Sequence, residues 1–122
     1  MGAWSLSRRT EPAIRSDIIT LRGDIDLSNV HQLQGRLSEF ETNGRHLVLD
    51  LSGLTFFDLR GVRLLESVSE ICRTQGVQLL LTGPSMLVRR VLDTAGSRRS
   101  IPVLENLDAA ARHLRDQASG TP

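Results

Sequence analysis

A chain of 122 residues is long enough for one domain with a modest core. Fifteen basic and fourteen acidic residues leave a net charge of +1, and three phenylalanines and one tryptophan are the whole aromatic content. Neither an electrostatic footprint nor a base-stacking surface for nucleic acid is present in that composition. No run approaches the roughly 20 apolar residues of a membrane span. Arg8 and Arg9 lack the following apolar stretch of a signal peptide, and the single Cys72 excludes an intrachain disulfide. The expectation is a soluble, cytoplasmic protein without membrane insertion.

Trp4 and Leu6 alternate with small polar residues, as in an edge strand. Arg8 to Pro12 reads as a polar turn, and Ile14 to Leu21 as a second strand, antiparallel to the first. Gly23-Asp24-Ile25-Asp26-Leu27-Ser28 leads out of it. Ser28 or Asp26 is expected to cap a first helix with Val30, Leu33, Leu37 and Phe40 at helical spacing, stopped by Asn43-Gly44. Leu47 to Leu51 is a nearly continuous apolar run, the pattern of a strand covered on both faces. Asp50, Ser52 and Gly53 read as a turn, after which a short apolar piece delivers Asp58 as the N-cap of a second helix. That helix is expected from about Arg60 to Thr74, with Leu65, Val68 and Cys72 inward, Leu64 and Ile71 beside them, and Gln75-Gly76 at its end.

Val77 to Leu81 is a further buried-type strand, followed by a Thr82-Gly83-Pro84-Ser85 turn in which Ser85 is a cap. A third helix points Leu87, Val88, Val91, Leu92 and Ala95 inward and stops at Gly96. Ile101 to Leu104 is a short strand whose proline assigns it to an edge. Asn106 or Asp108 opens a last helix with Leu107, Ala110, Ala111 and Leu114. One domain is expected over residues 1–116, with Gln117 to Pro122 a frayed tail. Alternation of strand and helix from Leu47 to Leu104 requires right-handed crossovers and parallel pairing, so the class is α/β with a mixed sheet.

Chemistry is scarce in this pattern. Asp24 and Asp26 lie two residues apart in a turn with no third metal ligand, and turn and capping roles account for them. His31, His46 and His113 are scattered, without metal-ligand spacing. Cys72 sits on an apolar stripe, as a structural thiol does. No phosphate-cradling glycine motif and no nucleophile elbow occurs, so neither a cofactor nor an enzyme is expected. Arg60 is the unusual residue. A cation in a first helical turn is unfavourable by about 0.3–1 kcal/mol, and with Arg63 it forms a basic rim suited to an acidic partner. Arg89, Arg90, Arg98 and Arg99 read as solvated faces.

Asp50-Leu51-Ser52-Gly53-Leu54-Thr55-Phe56-Phe57-Asp58 and Gly61-Val62 resemble the STAS domain of anti-sigma factor antagonists. There the block runs D-L-S-G-[LV]-x-[FY]-[FIL]-D-S-[ST]-G-[LV]. Gly23 to Leu27 resembles the family's G-E-L-D-L. Leu79 to Ser85 with Val88, Leu92 and Gly96 resembles its L-x-L-x-G-x-x-x-x-V-x-x-x-L and closing glycine, so residues 14–115 are covered. The resemblance implies a STAS fold, a small mixed sheet of four to five strands with about four helices. It also implies a non-enzymatic partner-switching function: binding an anti-sigma factor with a histidine-kinase-like ATPase fold and so releasing a sigma factor. ATP would belong to that partner.

The family's phosphorylated Ser or Thr follows the motif aspartate, where this chain has Leu59, so no phosphorylation is expected there. A leucine at an exposed helix start gains nothing unless it packs locally or docks into a partner, and its burial contributes about 1.5–3 kcal/mol. The expected partner-binding residues are Asp58, Leu59, Arg60, Gly61 and Arg63, with Gly61 allowing close backbone approach, and Asp26 and Ser28 beside them on the family's adjoining loop. Two alternative readings stay open: a STAS subunit docking on an ABC-transporter ATPase, and a sensor holding a nucleotide or lipid in the same loops. Edge strands near Trp4 or Ile101 leave room for a homodimer.

Overall fold

The computed structural model describes residues 3–96 and 100–119. Five strands, β1 (Trp4–Glu11), β2 (Ser16–Ile25), β3 (His46–Phe57), β4 (Leu79–Thr82) and β5 (Val103–Leu104), lie side by side in sequence order. β1 runs antiparallel to β2, and every later pair is parallel. Helices α1 (Val30–Ser38), α2 (Leu59–Thr74), α3 (Met86–Ala95) and α4 (Leu107–Ser119) occupy the crossovers and the C-terminus.

Side-chain alternation divides the core between the two sheet faces. Ile19, Leu21, Leu49, Leu51 and Leu81 join Leu33, Val62, Leu65 and Leu92 of α1, α2 and α3 in the main cluster. Ile18, Val48 and Leu80 point the other way, toward Ala110 and Leu114 of α4 and Ile14 of the 3-10 turn at Pro12–Ile14. The strands are thus apolar on both faces where helices cover both. Each fully buried leucine or isoleucine contributes about 1.5–3 kcal/mol.

Several elements depart from the sequence reading. Arg8 to Glu11 belongs to β1 rather than to a turn, because Arg8 and Thr10 both bond Asp17 across the hairpin. The reversal falls at Pro12–Arg15, where Arg15 takes a left-handed conformation (φ 53°). Phe40 lies beyond the end of α1, partly buried against the main core. Val77 is buried but precedes β4, and β5 holds only Val103 and Leu104 of the expected Ile101 to Leu104 strand. Leu87, expected inward, is exposed, since Val88 and Leu92 alone form the buried stripe of α3. Gln117 and the two residues after it are helical rather than frayed. Arg98, Arg99 and residues 120–122 lie outside the described residues.

The expected turn at Ser52-Gly53 is instead part of one long strand. Asp50 Oδ1 accepts from the Ser52 amide (3.0 Å) and hydroxyl (2.7 Å), the local bonding a turn would use. The ladder absorbs it. Thr20 pairs with Asp50 and Arg22 with Gly53, then Gly23 with Leu54 and Asp24 with Phe56, so β3 gains one residue on β2 at each step. These are two β-bulges. The buried positions of β3 follow them, running Leu47, Leu49, Leu51 and then Leu54, Phe57.

Candidate functional site

Parallel β2, β3 and β4 end at the same side of the sheet, where open α/β sheets expose their working loops. After β2, Asp26 Oδ1 accepts from the Ser28 amide (2.8 Å) and hydroxyl (2.5 Å), closing a turn rather than capping α1. The N-cap of α1 is Asn29. Its buried side chain reaches backward, accepting from the Asp26 amide (2.9 Å) and donating to the Asp24 carbonyl (2.8 Å), and so caps nothing in the first turn. Neither Ser28 nor Asp26 is therefore the cap.

The end of β3 is tied to this loop by the Asp58 amide, which donates to the Ile25 carbonyl (2.8 Å). Asp58 then caps α2 as its position in the sequence indicates, its carboxylate accepting from the Arg60 amide (2.8 Å). Leu59, the first residue of α2, is 44% exposed, and Arg60 is exposed beside it. Arg63 is exposed too but engages Glu66 at 3.1 Å. Gly61 is buried. The close approach it permits is internal: a Cβ there would stand 2.7 Å from Cζ of the fully buried Phe57 ring.

After β4, Ser85 Oγ accepts from the Val88 amide (3.2 Å) and caps α3, leaving Met86 77% and Leu87 49% exposed in its first turn. The sequence reading had not placed Leu27, Phe56, Met86 or Leu87 on this surface. Of the six exposed large apolar residues among those described, Leu27, Phe56, Leu59, Met86 and Leu87 stand at this one end of the sheet. Phe56 is turned outward by the second bulge, and its signal in the sequence is the three-residue spacing from Leu54 to Phe57. A shallow groove of about 290 Å³ runs from Phe56 and Leu59 to Arg90, Val91 and Thr94 on α3. The result is an apolar surface edged by arginines, with carboxylates engaged in turns and caps, which is suited to docking another protein.

Other candidate groups have structural roles. Cys72 is buried in the core, and burial pushes its thiol pKa up, away from the reactive thiolate. His46 Nδ1 accepts from the Gln78 amide (3.1 Å). Thr55 donates its hydroxyl to Asp24. Among the described residues no three His, Cys, Asp or Glu side chains converge as metal ligands, and no helix is long and apolar enough to cross a membrane.

A family model described as the STAS domain matches residues 9–110, from within β1 to within α4. The chain belongs to the STAS-domain family. This STAS domain is 31% identical over 102 residues to Osmosensory protein A of Mycobacterium tuberculosis, covering 81% of this chain and 65% of that protein. It is 31% identical over 96 residues to the anti-sigma-F factor antagonist RsfA of the same species, covering 76% of this chain and 75% of RsfA. In fold, the STAS domain superposes on the crystal structure of an anti-sigma factor antagonist from Mycobacterium paratuberculosis with a TM-score of 0.79 at 18% identity, over 93% of this chain and 96% of that one. Four to five strands in a mixed sheet with about four helices were expected, and five strands with four α-helices are found.

Proposed function

We propose that this STAS domain is an anti-sigma factor antagonist that acts by binding, without chemistry of its own. Its partner is an anti-sigma factor with a kinase-like ATPase fold, which supplies any ATP. Occupying that partner releases a sigma factor. The observation that carries the reading is the exposed Leu59 directly after the capping Asp58, at the end of the sheet that bears the apolar surface. Where the family places a phosphorylatable hydroxyl, this chain presents a side chain that gains by burial. Phosphorylation would add nearly two negative charges and oppose docking; leucine keeps the surface permanently competent. Asp58, Leu59, Arg60 and Arg63 form the contact with Asp26 and Ser28 beside them, Gly61 shapes it from beneath, and Leu27, Phe56, Met86 and Leu87 widen it.

The test pairs affinity capture from the source cells with direct titration of the captured protein. A kinase-like ATPase is expected to bind the parent and to lose at least ten-fold in affinity for Leu59→Asp or Arg60→Glu. Incubation with that ATPase and ATP is expected to leave the chain unmodified. Stoichiometric phosphate on the chain would refute the constitutive reading. Capture of a transport ATPase in place of an anti-sigma factor would refute the antagonist reading.

A further inference from the structure

At the opposite end of the sheet, where β2 and β3 begin, α1 and α2 part over a cavity of about 310 Å³. That is the small end of the range of ligand pockets, roughly 300–1,000 Å³. Leu37, Phe40, Leu64, Val68 and Ile71 make its walls apolar. Ile71 is 55% exposed and is the sixth exposed large apolar residue, the one that stands apart from the docking surface. The cavity is therefore a second apolar opening, separate from the proposed partner contact.

Its polar end is built around Asp17. This buried carboxylate accepts from Thr10 Oγ1 (2.7 Å), Arg8 Nη2 (3.0 Å), Arg45 Nε (3.0 Å) and Arg45 Nη2 (3.3 Å). Two guanidiniums thus share one carboxylate, and one positive charge is left over. Arg8 also lies 5.0 Å from the Phe40 ring centroid, which holds it in place behind the wall. Arg45 lines the cavity itself, and its Nη1 has no hydrogen-bond partner among the described residues. His46 lines the same end, with its Nδ1 occupied by the Gln78 amide. Glu41 stands on the exposed lip, where solvent and salt screen its charge.

We propose that this cavity binds a short amphiphilic carboxylate, with the aliphatic chain against Leu64 and Val68 and the carboxylate on Arg45. At about 30 Å³ per water-sized group, the volume holds roughly ten heavy atoms, the size of octanoate. The Arg45 Nη1 edge selects an anion over a neutral head, and the apolar walls select an alkyl chain over a sugar or nucleotide. The site is independent of the docking surface and does not rest on the antagonist reading.

The experiment titrates the full chain with octanoate and with octanol by calorimetry, alongside Val68→Trp, Ile71→Trp and Arg45→Gln, each checked for folding by circular dichroism. Saturable octanoate binding is expected. It should fall at least ten-fold when either tryptophan fills the cavity and by a similar factor in Arg45→Gln, and it should exceed octanol binding. Absence of saturable octanoate binding would overturn the proposal, as would equal affinity for octanol or unchanged affinity in a folded tryptophan variant.

Discussion

Two helical glycines that look alike in the sequence should respond to alanine with opposite sign. Replacing glycine by alanine inside a helix is favourable by about 0.5–1 kcal/mol, because alanine surrenders less backbone entropy. At Gly35, on the exposed face of α1, a Cβ meets nothing within 4 Å, so Gly35→Ala should gain close to that full amount. At Gly61 the same Cβ meets Phe57 Cζ at 2.7 Å and Cε1 at 2.9 Å. Phe57 is fully buried, so its ring must shift within the core to admit the methyl group. Overpacking of this kind costs about 1–3 kcal/mol, which outweighs the propensity gain and leaves Gly61→Ala destabilised by about 1 kcal/mol. The two variants should differ by about 2 kcal/mol in urea titrations, a gap well outside extrapolation error. In a Phe57→Leu background, Gly61→Ala should become neutral or stabilising, because the ring it collides with is gone. Gly61→Ala at least as stable as the parent would refute the reasoning.

Asp58→Ala and Ser85→Ala each remove a side-chain cap and should each cost about 1 kcal/mol by urea denaturation. Leu87→Asp, on an exposed side chain, should leave stability within about 0.5 kcal/mol while weakening partner binding in the same titration that tests Leu59. Burial, and then the charge of Arg15, hold the His46 imidazole below its usual pKa of 6.5. The folded state thus favours the neutral ring, so its contribution is present above pH 6.5 and lost as the pH falls through the lower folded value. Urea midpoints should drop between pH 7.5 and 5, and His46→Gln should flatten that part of the profile. Burial alone would raise Asp17, but hydrogen bonds from Arg45 and Thr10 and the charges of Arg8 and Arg45 outweigh it and lower the pKa below 3.8. That contribution is lost only at more acid pH, and Arg45→Gln should shrink the acid limb of the same profile.

Short-range chemistry was the legible part of the sequence. Asp58 and Ser85 announce their caps because a short acceptor side chain before an apolar helical stripe has one good use. Leu47 to Leu51 announces a strand covered on both faces. Tertiary effects were not legible. Asp50 and Ser52 make turn-like bonds, yet β2 supplies enough partners to keep the strand going. Asn29 takes the cap position because its side chain serves the loop behind it. Leu87 looks inward by composition but falls off the stripe that Val88 and Leu92 define. Of the candidate surface, Asp58, Leu59 and Arg60 were readable from the motif, while the apolar breadth contributed by Leu27, Phe56 and Met86 depends on which side chains the bulges and caps leave uncovered.

The two bulges in β3 also make chain length matter more than residue identity between Ser52 and Phe56. Each bulge shifts the inward–outward alternation by one position, and the pair restores it, so Phe57 returns to the core and Asp58 meets α2 in the right phase. Point substitutions on the outward positions leave that count intact. Deleting one residue would not: Phe57 would swing to solvent, Leu59 would turn toward the sheet, and the helix would start on the wrong side. Natural variation in this segment should therefore conserve its length and the inward Leu54, while the outward side chains at Ser52 and Thr55 exchange more freely.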